Sequence, residues 1–173
     1  MLTRLSRTII LTGFFSGIFI NSTFAHSHHE ASSIGSPVKA TKTTKTIKVT
    51  ASDDMRFNFL QPPKFHDGEI ITFKVTNRGK VVHEFSIGDE KEQKEHQKMM
   101  RAMPSMVHEE GNTITINPGE TKTLTWQFKS NPKHDVVFAC NLPGHFEAGM
   151  YMKVKAVKLD KNSVVIGIRG AIR

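Results

Sequence analysis

Cysteine is almost missing from this chain of 173 residues: Cys140 stands alone. One thiol cannot close an internal disulfide, so a small disulfide-stapled scaffold is excluded. Long apolar runs are missing as well. The best candidate, Ile9 to Ile20 (IILTGFFSGIFI), is too short to cross a bilayer comfortably. Arg4 and Arg7 precede it and NSTFA comes after it, which is the layout of a secretory signal peptide over residues 1–25, with cleavage expected after Ala25. No stable membrane insertion is expected after that cleavage. A basic helix and aromatic residues interleaved with basic ones are also lacking, so nucleic acid is not an expected partner. The chain carries +8; without Arg4 and Arg7 it has 22 basic and 16 acidic residues, or +6. The lysines gather at 39–48 and 153–161, where they serve solubility and docking to acidic partners.

What remains is a chain of short strands. Residues 26–45 are rich in Ser, Thr, Lys and Ala and read as a flexible linker. From there TIKVTA, EIITFKVTN, VVHEFSIG, NTITIN, ETKTLTWQFK, DVVFAC and GMYMKVKAV alternate or run apolar, with turn signals between them. Pro118-Gly119 suits the centre of a type II turn. The pattern predicts an all-β domain over 46–158, a β-sandwich or barrel. Glu90 to Met103 (EKEQKEHQKMMRAM) breaks the pattern. It holds no Gly, Pro or β-branched residue, and Pro104 comes next. It predicts a short helix inserted at about 90–104. Residues 159–173 form a tail whose VVIGI reads either as one more strand or as a loosely docked end.

An exported chain exposes a lone thiol to oxidation unless something occupies it. The surroundings of Cys140 suggest the occupant. In CNLPGHFEAGM, His145 lies five residues after Cys140 and Met150 ten after. Cys140 ends one strand, Met150 begins the next, and Pro143-Gly144 shapes the bend that delivers His145. A thiolate, two imidazoles and a weak thioether form the blue-copper set. The second imidazole must come from elsewhere, and His83 in VVHEF is the best candidate. Zinc is the rival metal, but a single thiolate and a methionine argue against it.

With DMRF at 54–57, VVHEFSIG, MPSMVHEEG, NPGET and FACNLPGHFEAGM, the sequence resembles the cupredoxins, the blue type 1 copper proteins that include plastocyanin and azurin. It looks most like the periplasmic CopI-like group associated with copper tolerance. The resemblance runs from about Ile47 to Val157. It implies a Greek-key β-sandwich of seven or eight strands, copper as cofactor, and His83, Cys140, His145 and Met150 as its ligands. It also implies residence in the periplasm. Glu84 departs from plastocyanin and azurin, which carry Asn after the first histidine.

Further soft or borderline ligands crowd the predicted helix and the segment just beyond it. His96, Met99, Met100 and Met103 share one helical face, and Met106 and His108 come next. They read either as an auxiliary Cu(I) site or as methionines that pack the helix onto the sandwich. Cleavage after Ala25 would expose His26-Ser27-His28-His29, which reads either as a Cu(II) chelate through the amine, two amides and His28 or as a bland histidine-rich tail. His66 and His134 read as surface residues. The functional expectation is a mononuclear copper protein able to cycle Cu(I)/Cu(II) and serving copper tolerance. Its partners would be copper ions and a periplasmic redox protein or copper exporter or oxidase. The alternative is a dedicated electron carrier. An enzyme is not expected, because the single domain has one such constellation.

Overall fold

The computed structural model describes residues 32–109 and 111–155, and the backbone of residues 168–169. The expected signal peptide, His26 and His28, and nearly all of the 159–173 tail lie outside the described residues.

In chain order the elements are β1 (Gly35–Pro37), β2 (Lys45–Ser52), β3 (Arg56–Phe59), β4 (Ile70–Asn77), β5 (His83–Gly88), α1 (Glu90–Ala102), β6 (Thr113–Ile116), β7 (Thr121–Phe128), β8 (Val136–Ala139), β9 (Tyr151–Val154) and β10 (Ile168–Arg169). They form two five-stranded sheets, ordered β1-β7-β4-β2-β3 and β10-β9-β8-β5-β6. Strands β2 and β4 run parallel, while the other paired strands are antiparallel. The chain crosses between the sheets at β4–β5, β6–β7 and β7–β8. This is an all-β Greek-key sandwich with one α-helix among the described residues.

Alternation builds the core. Ile47, Val49 and Ala51 point inward from β2, with Phe73 and Val75 from β4, Phe85 and Ile87 from β5, and Phe138 from β8. The rings of Phe73, Phe85 and Phe138 lie 5.2–5.6 Å apart, so one aromatic cluster joins the two sheets. Strand β5 is buried at every position, His83 through Gly88. Its inward residues meet the opposite sheet, and α1 packs on the other face. Gln93 reaches from α1 to donate to the Val137 carbonyl at 2.9 Å.

The helix starts where its cap dictates. Asp89 accepts from the Glu92 amide, and the Glu92 carboxylate accepts from the Asp89 amide, a reciprocal capping box. The cap is held from outside by Ser33 Oγ, which donates to Asp89 at 2.8 Å, and by His134, 2.9 Å away. His134, expected as a surface residue, therefore has a partner; His66 is exposed.

The flexible linker expected over 26–45 is corrected from Ser32 onward. Ile34 is fully buried, and β1 pairs with the edge of β7. Trp126 Nε1 donates to the Ile34 carbonyl at 3.4 Å. A single isoleucine in a polar stretch is invisible to composition, yet it fills a slot beside Trp126. Gly35 makes the close approach possible, since a Cβ there would lie 2.1 Å from the Gln127 carbonyl oxygen. Strand β3, which overlaps the DMRF stretch, is a further strand that the sequence pattern does not predict; it pairs with β2.

Candidate metal centre

His83 opens β5, Cys140 comes directly after the last residue of β8, and Met150 precedes β9. The loop between β8 and β9 is closed by its own backbone. The Cys140 amide donates to the Met150 carbonyl, and the Met150 amide donates to the His145 carbonyl, both at 3.0 Å. Within the loop, the His145 amide donates to the Leu142 carbonyl at 3.0 Å across Pro143-Gly144. Gly144 has φ 87°, as the third position of a type II turn requires. Three residues expected to share a metal, Cys140, His145 and Met150, thus sit on one hydrogen-bonded loop. Cys140 and Met150 are fully buried and His145 is partly buried.

The structure brings His83 to the same point. Ligand atoms of His83, Cys140 and His145 lie within 4.8 Å of one another. Cys140 Sγ is 3.3 Å from His145 Nδ1, and the two imidazole rings are 5.2 Å apart. His83 Nε2 meets the Asp53 carboxylate at 3.2 Å, while its buried Nδ1 has no hydrogen-bond partner. The Lys80 amide donates to Asp53 and lowers its pKa; the contacts with His83 and the Val81 amide add to this against a desolvation that raises it. An ionised Asp53 accepts a hydrogen bond from His83 Nε2–H, which leaves the Nδ1 lone pair facing the site.

Burial raises the Cys140 pKa to about 12, against backbone N–H groups of Glu84 and Leu142 that favour the thiolate. A protonated thiol is therefore the metal-free state, and a bound cation is what would hold the thiolate there. Burial, and then the neighbouring His83, lowers the His145 pKa. Its imidazole is thus biased toward the neutral form that a metal needs. An orphaned buried ring nitrogen, a buried thiol and a neutral imidazole converge, and this donor set fits copper.

Sequence reasoning missed two supports of this site. Asp53 lies one residue before the DMRF stretch. Gly79 lets it come close, since a Cβ there would sit 1.8 Å from Asp53 Oδ1. Asn77 fixes the turn that leads into His83, donating to the Val81 carbonyl at 2.8 Å and the Ile116 carbonyl at 2.9 Å. No ligand-like spacing marks either residue. The tie between the ligand strands, where Glu84 departs from the familiar asparagine, runs through backbone: the Glu84 amide donates to Cys140 Sγ at 3.2 Å. Asn141, next to Cys140, is tied to α1 instead, donating to Gln93 at 2.7 Å.

The auxiliary residues separate. Met100 is fully buried, Met99 and Met106 are half-buried, and Met103 is 44% exposed. His96 and His108 instead come together, rings 4.8 Å apart, beside the Glu84 carboxylate.

No family model matches the chain. A copper-resistant cuproprotein CopI of Vibrio cholerae is 44% identical over 128 residues, covering 74% of this chain and 73% of that protein. The chain belongs to the CopI family of copper-resistant cuproproteins. Another CopI, from Rubrivivax gelatinosus, is 38% identical over 132 residues and covers 75% of this chain and 77% of its own length. The solved structure of auracyanin B covers 68% of this chain and 91% of its own, with a TM-score of 0.52 and 19% identity. That likeness shows the fold, so this CopI-family chain has the cupredoxin sandwich.

Proposed function

We propose that this chain is a periplasmic type 1 copper protein serving copper tolerance, with His83, Cys140, His145 and Met150 as the copper ligands. The observation that carries the reading is the convergence of the His83, Cys140 and His145 ligand atoms within 4.8 Å, with His83 Nδ1 buried and unpaired. The name shared by the relatives supports the metal and the tolerance role. The signal-peptide layout at residues 4–25 supports the compartment.

Bound copper would supply a one-electron Cu(I)/Cu(II) couple. The chain supplies the rest. Asp53 holds the His83 ring in one tautomer and orientation. The Glu84 amide directs its dipole at Cys140 Sγ, favouring the thiolate. The closed loop from Cys140 to Met150 keeps its three side chains in place whether or not charge changes among them, the preorganisation that a redox site needs. The apolar residues Leu142, Pro143 and Phe146 flank His145 in the loop, and Phe146 is braced by stacking on Tyr151 at 4.5 Å. That partly exposed edge supports the second reading, a dedicated electron carrier that exchanges electrons with a periplasmic redox partner. On the tolerance reading, cells lacking the protein become copper-sensitive. On the carrier reading they lose an electron-transfer step and keep their tolerance.

The test of the site is a Cu(II) titration monitored by visible absorption. The expected result is an intense thiolate-to-copper band that saturates at one equivalent and disappears in Cys140→Ser. Absence of the band at every ratio would overturn the assignment.

A further inference from the structure

The carboxylate of Glu84 is fully buried on the helix-facing side of β5, opposite the face that His83 presents to the metal centre. Two histidines converge on it from different elements. His96 of α1 brings Nε2 to 3.3 Å from one carboxylate oxygen. His108, in the segment between α1 and β6, brings Nε2 to 3.6 Å from the other. The three ligand atoms lie within 4.8 Å of one another, and the histidine side chains are only 11% and 17% exposed. His108 is pinned by a pair of hydrogen bonds with Thr115 of β6, each 2.8 Å.

A buried carboxylate demands compensation by charge and hydrogen bonds. Glu84 Oε1 makes no hydrogen bond. Two imidazoles and a carboxylate drawn from a strand, a helix and a loop are a metal donor set. We infer that Glu84, His96 and His108 form a second metal site, for a borderline divalent transition ion such as Cu(II) or Zn(II). Nitrogen and oxygen donors suit such an ion, whereas Cu(I) prefers thioethers. The site goes beyond the type 1 reading and shares none of its ligands. The two are joined by one residue, since the backbone amide of Glu84 donates to Cys140 Sγ at 3.2 Å while its side chain serves the second ion. The competing account is a purely structural cluster in which the two histidines only pair with the Glu84 carboxylate.

The test is calorimetric titration of Zn(II), which is redox-silent, into the full chain preloaded with one equivalent of copper. Parallel titrations use His96→Ala, His108→Gln and the double variant Met99→Leu/Met103→Leu. The expected result is one Zn(II) bound by the unmodified chain, weakened at least about tenfold in either histidine variant, because even outer-shell partners of a metal contribute that much. The methionine variant should bind Zn(II) as the unmodified chain does. His108→Gln changes a residue outside the helix and the core, so it remains informative if His96→Ala unfolds. Identical isotherms in the unmodified chain and both histidine variants would overturn the inference in favour of the structural cluster. So would equal loss in the methionine variant. Any weak binding by the histidine tail is common to all four and cancels. The visible band is read in the same samples: its absence would count against the thiolate site and leave the Zn(II) comparison standing.

Discussion

Asp53 acts through another residue. Its carboxylate accepts from the Lys80 amide at 2.7 Å and meets His83 Nε2 at 3.2 Å, so it fixes both the turn before β5 and the ring that opens it. Carboxylate partners of metal-bound histidines set tautomer and basicity, and their loss weakens metal binding by about 10–100-fold. Asp53→Ala is therefore expected to lower copper affinity by that factor while keeping the thiolate band, since Cys140 keeps its own hydrogen bond from Glu84. A chelator competition read at the band measures it. An affinity equal to that of the unmodified protein would show that the His83 ring is held by packing alone.

Helix α1 owes its start to the cap at Asp89. The segment before β1 reinforces that cap through Ser33, and Ser32 donates to Glu92 at 3.0 Å. Burial works to raise the Asp89 pKa, but the Glu92 amide, Ser33 and His134 outweigh it and leave it lowered. A lowered carboxylate pKa stabilises the fold above its unfolded-state value, and this contribution disappears as pH falls through the folded-state value. Asp89→Ala is expected to destabilise the protein by about 1–2 kcal/mol, the upper half of the range for lost caps, because three partners lose their acceptor. Denaturant unfolding at neutral pH measures this, and the difference between the two proteins should shrink in acid. The thiolate band should persist, because none of the four proposed ligands lies on the helix.

The whole sandwich depends on the aromatic cluster between the sheets. Phe73 projects from the sheet that carries none of the four proposed ligands, and it touches Phe85, Phe128 and Phe138. Phe73→Ala is expected to cost about 3–5 kcal/mol, the usual range for emptying a buried aromatic position. Bound copper should restore part of the lost stability by mass action, so thermal unfolding with and without copper is the measurement. A Tm unmoved by copper in this variant would show that the loop from Cys140 to Met150 no longer binds the metal when the opposite sheet is loosened.

Sequence by itself determined the parts of this protein that are local. The spacing of Cys140, His145 and Met150, with Pro143-Gly144 between them, encodes a loop closed by hydrogen bonds between near neighbours. Helix α1 is written in an unbroken run of helix formers, and strands such as β2 and β4 in their alternation. Tertiary structure decided what depends on contacts distant along the chain. Ile34 sits beside Trp126, Asp53 reaches His83 from another part of the chain, and Glu84, His96 and His108 meet from a strand, a helix and a loop. The methionine stripe shows the limit from the other side: helical spacing put Met99, Met100 and Met103 on one face, but burial consumed Met100 and left Met103 exposed. Local spacing fixes which side chains share a face, because backbone geometry repeats. What that face meets is set by packing against segments whose positions no local pattern records, and the cluster of Glu84, His96 and His108 arises from that packing.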